Sequence, residues 1–365
     1  MIRSTNRLAA AAVAAVALMV TACGGTSTAS GAPSAAATRE AAGGVPGVLA
    51  DAVTVRIGVF PNITHAPGLV ALADGGQLSR LLPNATIEVK PFNSGTTAVE
   101  SLFAKAIDLT FIGPNPAINA YAKSKGDFVV ISGSTSGGAF LVVRPEIKTA
   151  ADLRGRKIAT PSLGNTQDVA LRAWLKGKGL VTDTAGGGDV AVVPQENSQT
   201  LETFIAGTID GAWVPEPWAT RLIKEGGARI LVDERDLWPD GKYVTTHLLV
   251  ARKFLDANPE VVRRILLATV QAVDFVNENP AEAQTIVNAE IEKWTTKKLG
   301  EDLLKTAWGN LTFTVDPVAS SLGKSASDAQ SLGLLKDPGD LTGLYDLGLL
   351  NDILDALGKP EVSGL

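Results

Sequence analysis

The sequence predicts an α/β protein of two lobes, each a mostly parallel sheet with flanking helices, followed by a helical C-terminal region. Strand-like and helix-like patterns alternate from residue 51 to residue 251. This alternation pauses near Val142 to Pro145 and then starts again, which indicates two lobes. From Pro259 onward the pattern is helical, with Val262, Leu266 and Val270 spaced to lie on one face.

The amino-terminal segment predicts export. Arg3 and Arg7 precede the apolar run Leu8 to Val20, which is long enough for a signal-peptide core and too short to span a bilayer. Cys23 follows this run in a pattern that resembles a bacterial lipobox, so residues 1–22 are expected to be a signal peptide and Cys23 the lipidated N-terminus. The expected location is outside the cytoplasm, anchored to the cell membrane by several acyl chains. An unmodified thiol is the alternative.

Composition narrows the class of protein. Residues 23–50 are dominated by Ala, Gly, Ser, Thr and Pro without an apolar face, as in a flexible tether. The 365 residues are 45% hydrophobic, enough for a large core and about two domains. Cys23 is the only cysteine, so no disulfide and no cysteine nucleophile is expected in the body. The net charge of -5 argues against a nucleic-acid partner.

The elements of the first lobe follow in order from the tether. Runs rich in β-branched residues predict strands, and apolar residues at three- and four-residue spacing predict helices. Strands are expected at Val53–Phe60, Thr86–Phe92, Leu109–Ile112 and Phe128–Ser132, and helices at Ala66–Leu78, Thr96–Lys105 and Ala117–Lys123.

The second lobe repeats this pattern. Strands are expected at Lys157–Thr160, Val190–Val193, Gly211–Val214 and Arg229–Val232, helices at Thr166–Lys176, Leu201–Ala206 and Trp218–Lys224, and a returning strand at Thr245–Ala251. We therefore expect residues 51–143 and 247–365 to form the first lobe and residues 144–246 the second.

The loops after the strands contain the candidate binding residues, because sites in such sheets lie beyond the carboxyl ends of the strands. These loops are polar or Gly-rich and precede helices, whose N-terminal amides and partial positive charge suit an anion. The alternative is that residues such as Thr96 and Asn165 only cap their own helices. The candidates are Asn62, Thr64, His65, Gly95, Thr96, Asn115, Ser136, Gly164, Asn165, Thr166 and Gln167.

Two further candidates lie in a proline-flanked turn. Pro215 and Pro217 restrict the backbone around Glu216. The Glu216 carboxylate is expected to accept a hydrogen bond from a ligand amine or from loop amides, and Trp218 to cover a bound solute. Core packing is the alternative for Trp218.

Other kinds of site are not indicated. The two histidines, His65 and His247, have no nearby carboxylates in the sequence, so no metal site is expected. Val318 stands where the first glycine of a phosphate-binding loop ending at Ser325 would be. The run from Gly133 to Gly137 resembles a nucleophile elbow but has a threonine at its centre. No cofactor and no enzymatic activity are therefore expected.

Four motifs carry a family resemblance that covers about Val53 to Leu350. The chain resembles the aliphatic-sulfonate, taurine and nitrate branch of the solute-binding proteins that serve ABC importers. The motifs are FPNITHA (Phe60–Ala66), IGPNPA (Ile112–Ala117), LGNTQDV (Leu163–Val169) and WVPEPW (Trp213–Trp218).

The resemblance implies a periplasmic-binding-protein fold with two chain crossings, near Val142 to Pro145 and Thr245 to Leu249. It further implies a monomer whose cleft closes on a small anionic solute and which delivers that solute to a permease with ATP-binding subunits. An acid at Glu216 would suit the ammonium group of a taurine-like solute. An aliphatic sulfonate is the expected solute; taurine, nitrate, bicarbonate and a thiamine precursor are alternatives.

Two other classes of protein share features with this chain. The pyrimidine-forming enzymes of thiamine biosynthesis resemble the same fold, but they carry a Cys-rich segment that this sequence lacks. A binding lobe that serves a sensor kinase or a chemoreceptor is the other alternative.

Overall fold

The computed structural model describes residues 52–365 of the chain. The expected signal peptide, the lipidation of Cys23 and the tether lie outside this range, and they stay predictions. Within the described range, no helix combines the length and the apolar composition that crossing a bilayer requires.

The strands and helices alternate along most of the described chain, as the sequence predicts. The strands are β1 (Thr54–Val59), β2 (Thr86–Pro91), β3 (Leu109–Ile112), β4 (Phe128–Gly137), β5 (Ala139–Val143), β6 (Lys157–Thr160), β7 (Ala191–Pro194), β8 (Gly211–Pro215), β9 (Arg229–Asp233), β10 (Val244–Ala251) and β11 (Leu311–Phe313). The helices are α1 (Ala66–Leu72), α2 (Gln77–Leu81), α3 (Gly95–Phe103), α4 (Pro114–Ser124), α5 (Thr166–Gly177), α6 (Asn197–Ile205), α7 (Trp218–Gly226), α8 (Arg252–Ala257), α9 (Pro259–Glu278), α10 (Pro280–Thr295), α11 (Glu301–Trp308), α12 (Ser320–Ser331) and α13 (Gly348–Ala356).

These strands form two sheets. The first has the order β11-β4-β10-β3-β1-β2 and the second the order β7-β6-β8-β5-β9. Strand β1 is parallel to β2 and β3, and β6 is parallel to β7 and β8. Strands β10 and β5, which lie between the parallel strands and the rest of their sheets, pair antiparallel with their neighbours. The predicted fold class, two α/β lobes with a helical C-terminal region, is confirmed, and each sheet is mixed.

The chain passes between the sheets earlier than expected. Strand β4, which ends at Gly137, belongs to the first sheet, and β5 belongs to the second; Gly137 and Gly138 at this crossing have φ values of 79° and 74°. Residues 139–143 therefore lie in the second lobe, because β5 pairs with β8 and β9, and the boundary expected after residue 143 is too late. The chain returns through residues 234–243, before β10 rather than within it.

The core of the first lobe includes the amphipathic helix α9. Val262, Leu266 and Val270 are buried against the first sheet and its helices, as their spacing predicts. The single helix expected over Ala66–Leu78 is instead two helices, α1 and α2. The chain turns between them at Gly75, whose φ of 71° interrupts the helix.

Candidate functional site

A cavity of about 350 Å³ lies between the two lobes. It sits beyond the carboxyl ends of six parallel strands, β1, β2 and β3 of the first sheet and β6, β7 and β8 of the second. After each of these strands, a residue one or two positions beyond the end of the strand lines the cavity. These residues are Phe60, Phe92, Gly113, Pro161, Glu196 and Pro217. The structure thus brings the loops expected to bind a solute to one place.

Six helices begin at this cavity. Each contributes a lining residue at its N-cap or first turn, where backbone amides lack intrahelical partners and the helix dipole is positive. Such positions favour an anion. The lining residues are His65 at α1, Gly95 at α3, Gly113 at α4, Asn165 and Thr166 at α5, Asn197 at α6 and Trp218 at α7.

The first lobe presents Asn62, Thr64 and His65 to the cavity from a short 3-10 helix. The Asn62 Oδ1 accepts a hydrogen bond from the Thr64 amide at 3.2 Å, and the Thr64 carbonyl accepts one from the Thr246 hydroxyl at 2.9 Å. The His65 ring stacks on Phe60 with 4.5 Å between the ring centroids. These contacts fix the position of the His65 ring at the cavity wall.

The His65 imidazole is neutral. Its burial lowers its pKa to about 3, against a smaller opposing effect of the Phe111 carbonyl. The Nδ1 atom lies 3.1 Å from the Thr64 hydroxyl, while Nε2 is buried without a hydrogen-bond partner among the described residues. When Nδ1 accepts the Thr64 hydroxyl proton, Nε2 carries the ring proton, and the ring can donate a hydrogen bond to a solute.

The second lobe presents Asn165, Thr166 and Gln167 at the start of α5. The Asn165 Oδ1 accepts a hydrogen bond from the Thr166 amide, so Asn165 also caps its helix. The Thr166 Oγ1 is buried without a hydrogen-bond partner among residues 52–365. A Cβ atom placed on Gly113 of the first lobe would lie 2.8 Å from this oxygen, so the two lobes meet at Thr166.

A buried carboxylate supports the start of α5. The Asp168 carboxylate accepts hydrogen bonds from the Thr160 hydroxyl at 2.9 Å, the Gly164 amide at 2.9 Å and the Arg172 Nε at 3.0 Å. Gly164 has a φ of 72°, which favours glycine. Gly164 does not line the cavity, and it shapes the turn that places Asn165 there.

Three other candidates lie outside the cavity lining. Thr96 is exposed on α3. The Asn115 amide nitrogen is buried and donates to the Ser325 carbonyl at 3.2 Å. The Ser136 hydroxyl donates to the Tyr243 carbonyl at 2.6 Å. Asn115 and Ser136 therefore join segments of the protein to each other.

Glu216 also lies outside the lining, while Trp218 lines the cavity. The buried Glu216 carboxylate accepts hydrogen bonds from the Thr220 amide at 3.0 Å, the Thr220 hydroxyl at 2.7 Å and the Asn310 amide at 2.7 Å. Burial raises its pKa, and these hydrogen bonds oppose the rise. Asn310 precedes β11 of the first sheet, so Glu216 joins the lobes near the first crossing, and this geometry does not offer its carboxylate to a solute amine.

Part of the cavity lining comes from the helical tail, which none of the four sequence motifs includes. Ile291, Trp294 and Leu299, around the end of α10, line the cavity. Lys297 supplies a basic side chain that the four motifs lack. The helical pattern of the tail indicates a buried face but does not tell which lobe or cleft that tail covers.

A second basic residue at the cavity is already paired. The Arg221 Nε and Nη2 donate to the Glu225 carboxylate at 2.8 and 3.0 Å. Within the part of the chain that the structure describes, no three His, Cys, Asp or Glu side chains come together as metal ligands. His247 is buried in β10, with its Nε2 3.1 Å from the Pro317 carbonyl.

Comparison with known proteins gives one family and several relatives. The model of the NMT1-like family matches residues 50–291. A protein of Brucella abortus (strain 2308), whose name describes it as a binding protein, is 28% identical over 271 residues, which cover 70% of this chain and 81% of that protein. The taurine-binding periplasmic protein of Escherichia coli (strain K12) is 26% identical over 230 residues, covering 63% of this chain and 69% of that protein.

The fold is also found in solved structures. The alkanesulfonate-binding protein SsuA from Xanthomonas axonopodis pv. citri, bound to MOPS, superimposes with a TM-score of 0.67 at 18% sequence identity. The superposition covers 81% of this chain and 98% of that chain. At this identity the likeness concerns the fold alone.

Proposed function

The chain belongs to the NMT1-like family, and we propose that it is the substrate-binding component of an ABC importer that captures a small anionic solute in the cavity between its lobes. The resemblance expected from the four sequence motifs is confirmed by the family match and by a relative named as a taurine-binding protein. Within the proposal, an aliphatic sulfonate is the solute.

One observation carries the proposal. The His65 Nε2 of the first lobe and the Thr166 Oγ1 of the second are both buried, both belong to residues that line the cavity, and neither has a hydrogen-bond partner among the described residues. A buried polar atom without a partner costs about 1–3 kcal/mol, so a solute that bonds to both atoms removes this cost. The helix N-termini around these two residues favour a solute with negative charge.

This arrangement supports transport by closure of the lobes. A solute that bonds to His65 and Thr166 at once makes more contacts when the lobes are together than when they are apart, and it therefore shifts the equilibrium toward the closed form. A permease that recognises the closed form would then accept the loaded protein. Energy for transport would come from ATP-binding subunits on other chains.

Binding without chemical conversion is part of the proposal. The only cysteine of the chain is Cys23, so residues 52–365 supply no thiol to the cavity. The neutral, deeply buried His65 has a pKa far below the value near 7 that suits a general base. Anchoring through lipid on Cys23, an extracytoplasmic location and a monomeric state complete the proposal.

A thermal-shift screen of the protein tests the function. Methanesulfonate, larger sulfonates, taurine, nitrate, bicarbonate and a thiamine precursor would be compared, and a true solute at a hundred times its Kd should stabilise the fold by about 2.7 kcal/mol. A response to neutral or cationic compounds alone would overturn the anion-binding function.

Two variants test whether the anion that the screen detects binds in the cavity. Thr166→Val keeps the shape of the side chain and removes the hydroxyl, and it should weaken anion binding by about tenfold, because the lost bond is to a charged group. Thr96→Val is the matched control, since Thr96 also lies in a first helical turn but outside the cavity lining. Equal affinities of the two variants would contradict the proposal.

A further inference from the structure

The cavity is much larger than a small inorganic anion needs. Its volume of about 350 Å³ corresponds to roughly ten water molecules at about 30 Å³ each. Nitrate or methanesulfonate bonded to His65 and Thr166 would leave most of this volume to water. The unfilled volume indicates that the solute has a further part besides its anionic group.

The lining beyond the polar residues is apolar. Phe60, Trp218, Ile291, Trp294 and Leu299 contribute to it, and the two indoles come from different lobes. Both indoles are only half-buried although they line a cavity. An indole exposes a large apolar area, so contact with an apolar group in place of water would stabilise a complex.

Both indoles also have a cation nearby. The Arg221 guanidinium lies 4.9 Å from the Trp218 ring centroid, and the Lys293 ammonium lies 5.6 Å from the Trp294 ring centroid. These two cations pair with the carboxylates of Glu225 and Glu290, so the positive charge offered to a solute comes from Lys297, which lines the cavity three residues after Trp294. This combination suits an organic anion better than a neutral apolar compound.

We propose that the solute is an organic sulfonate with a bulky apolar body, aromatic or branched, which contacts Trp218 of the second lobe and Trp294 of the helical tail. This inference rests on the proposed function and keeps its sulfonate group, but it replaces the simple aliphatic chain with a bulky apolar body in the same cavity. Trp294 is then a specificity-determining residue, because it comes from the tail and lies outside all four motifs that carry the family resemblance.

Isothermal titration calorimetry of the full protein with methanesulfonate and benzenesulfonate tests the inference. Each additional buried carbon strengthens binding by up to about fourfold, so benzenesulfonate should bind at least about tenfold more tightly than methanesulfonate. Trp294→Ala should weaken benzenesulfonate by roughly three- to tenfold, the range for a lost aromatic contact, and Trp294→Phe should restore part of this loss.

The readout is the ratio of the two dissociation constants measured on one sample, so a partly unfolded variant still gives a valid result. Trp174→Ala is the matched control, because Trp174 is half-buried on α5 and packs against Trp213 outside the cavity. This control should leave the ratio unchanged.

Two results would overturn the inference and leave the proposed function standing: equal affinities for the two sulfonates, or a Trp294→Ala variant that weakens both by the same factor. Binding of no anion at all by the wild-type protein would overturn the proposed function, and the inference with it.

Discussion

Gly113→Ala adds a single methyl group, which should weaken ligand binding and leave the stability of the unliganded protein nearly unchanged. Gly113 is the N-cap of α4 in the first lobe, with φ of −73° and ψ of 163°, values that alanine adopts without strain. The Cβ of an alanine would lie 2.8 Å from the Thr166 Oγ1 and 3.6 Å from the Thr245 carbonyl oxygen. The first contact is too short, and it involves a side chain of the other lobe.

The expected magnitude follows from where the clash occurs. Overpacking of this kind costs about 1–3 kcal/mol, and the lobes can avoid it by moving apart. In the proposed closure only the closed form contains this contact, so the cost would appear in ligand binding, and the Kd should rise by about five- to 150-fold. The unliganded protein should lose less than about 1 kcal/mol of stability, the cost of alanine at an N-cap.

Titration calorimetry with a sulfonate and urea unfolding of the unliganded protein measure the two quantities. Gly300→Ala is the matched control, because Gly300 is also a helix N-cap, with φ of −65° and ψ of 146°, and a Cβ there would meet no atom within 4 Å. It should leave the Kd unchanged. In a Thr166→Ala background, Gly113→Ala should have a much smaller effect, because the clashing oxygen is absent.

An unchanged Kd for Gly113→Ala would refute the reasoning that the lobes meet at Thr166 in the liganded form. The same conclusion would follow if Gly113→Ala weakened binding equally with and without the Thr166 hydroxyl.

Two further predictions concern buried carboxylates. Glu216→Gln replaces with an amide the carboxylate that accepts hydrogen bonds from Thr220 and Asn310. In urea unfolding it should destabilise the fold by about 1–3 kcal/mol, and it should weaken the binding of taurine and of methanesulfonate by the same factor. A selective loss of taurine binding would place Glu216 in the binding site. Burial raises the pKa of Glu234 from its ordinary 4.5 to about 7, although Trp213 donates a hydrogen bond to its carboxylate. Between these two pH values the folded state therefore holds a proton that the unfolded state lacks. The free energy of unfolding should thus fall by roughly 3 kcal/mol as the pH rises from 4.5 to 7. Glu234→Gln should remove this fall, and a difference in unfolding free energy between variant and wild type that does not change with pH would contradict it.

The sequence predicts most strands of the fold but not the position of the first crossing. Strands β3 and β6 have the predicted bounds, because short β-branched runs between polar loops are a clear signal. Strand β5 was missed. Residues 139–143 are all buried, so they show no alternation of apolar and polar side chains.

The sequence also leads to part of the candidate site. The rule that loops follow the carboxyl ends of parallel strands brings Asn62, His65 and Thr166 to the cavity. The same rule does not predict Trp294, because Trp294 lies near the end of helix α10 and not in a loop that follows a parallel strand. The rule also selects Glu216, but it does not predict that the Glu216 carboxylate bonds to Asn310, 94 positions away in the chain.

The crossing from β4 to β5 restricts how the two lobes can move relative to each other. With a single residue, Gly138, separating the two strands, any rotation of one lobe must pivot close to that point. In the proposed closure, displacements grow with distance from this crossing, so we expect the hydrogen bond from Asn310 to Glu216 to persist while the far side of the cavity opens. Since residues 52–365 contain no cysteine, a pair of dyes on cysteines introduced at that far side would report the swing of single molecules without background labelling.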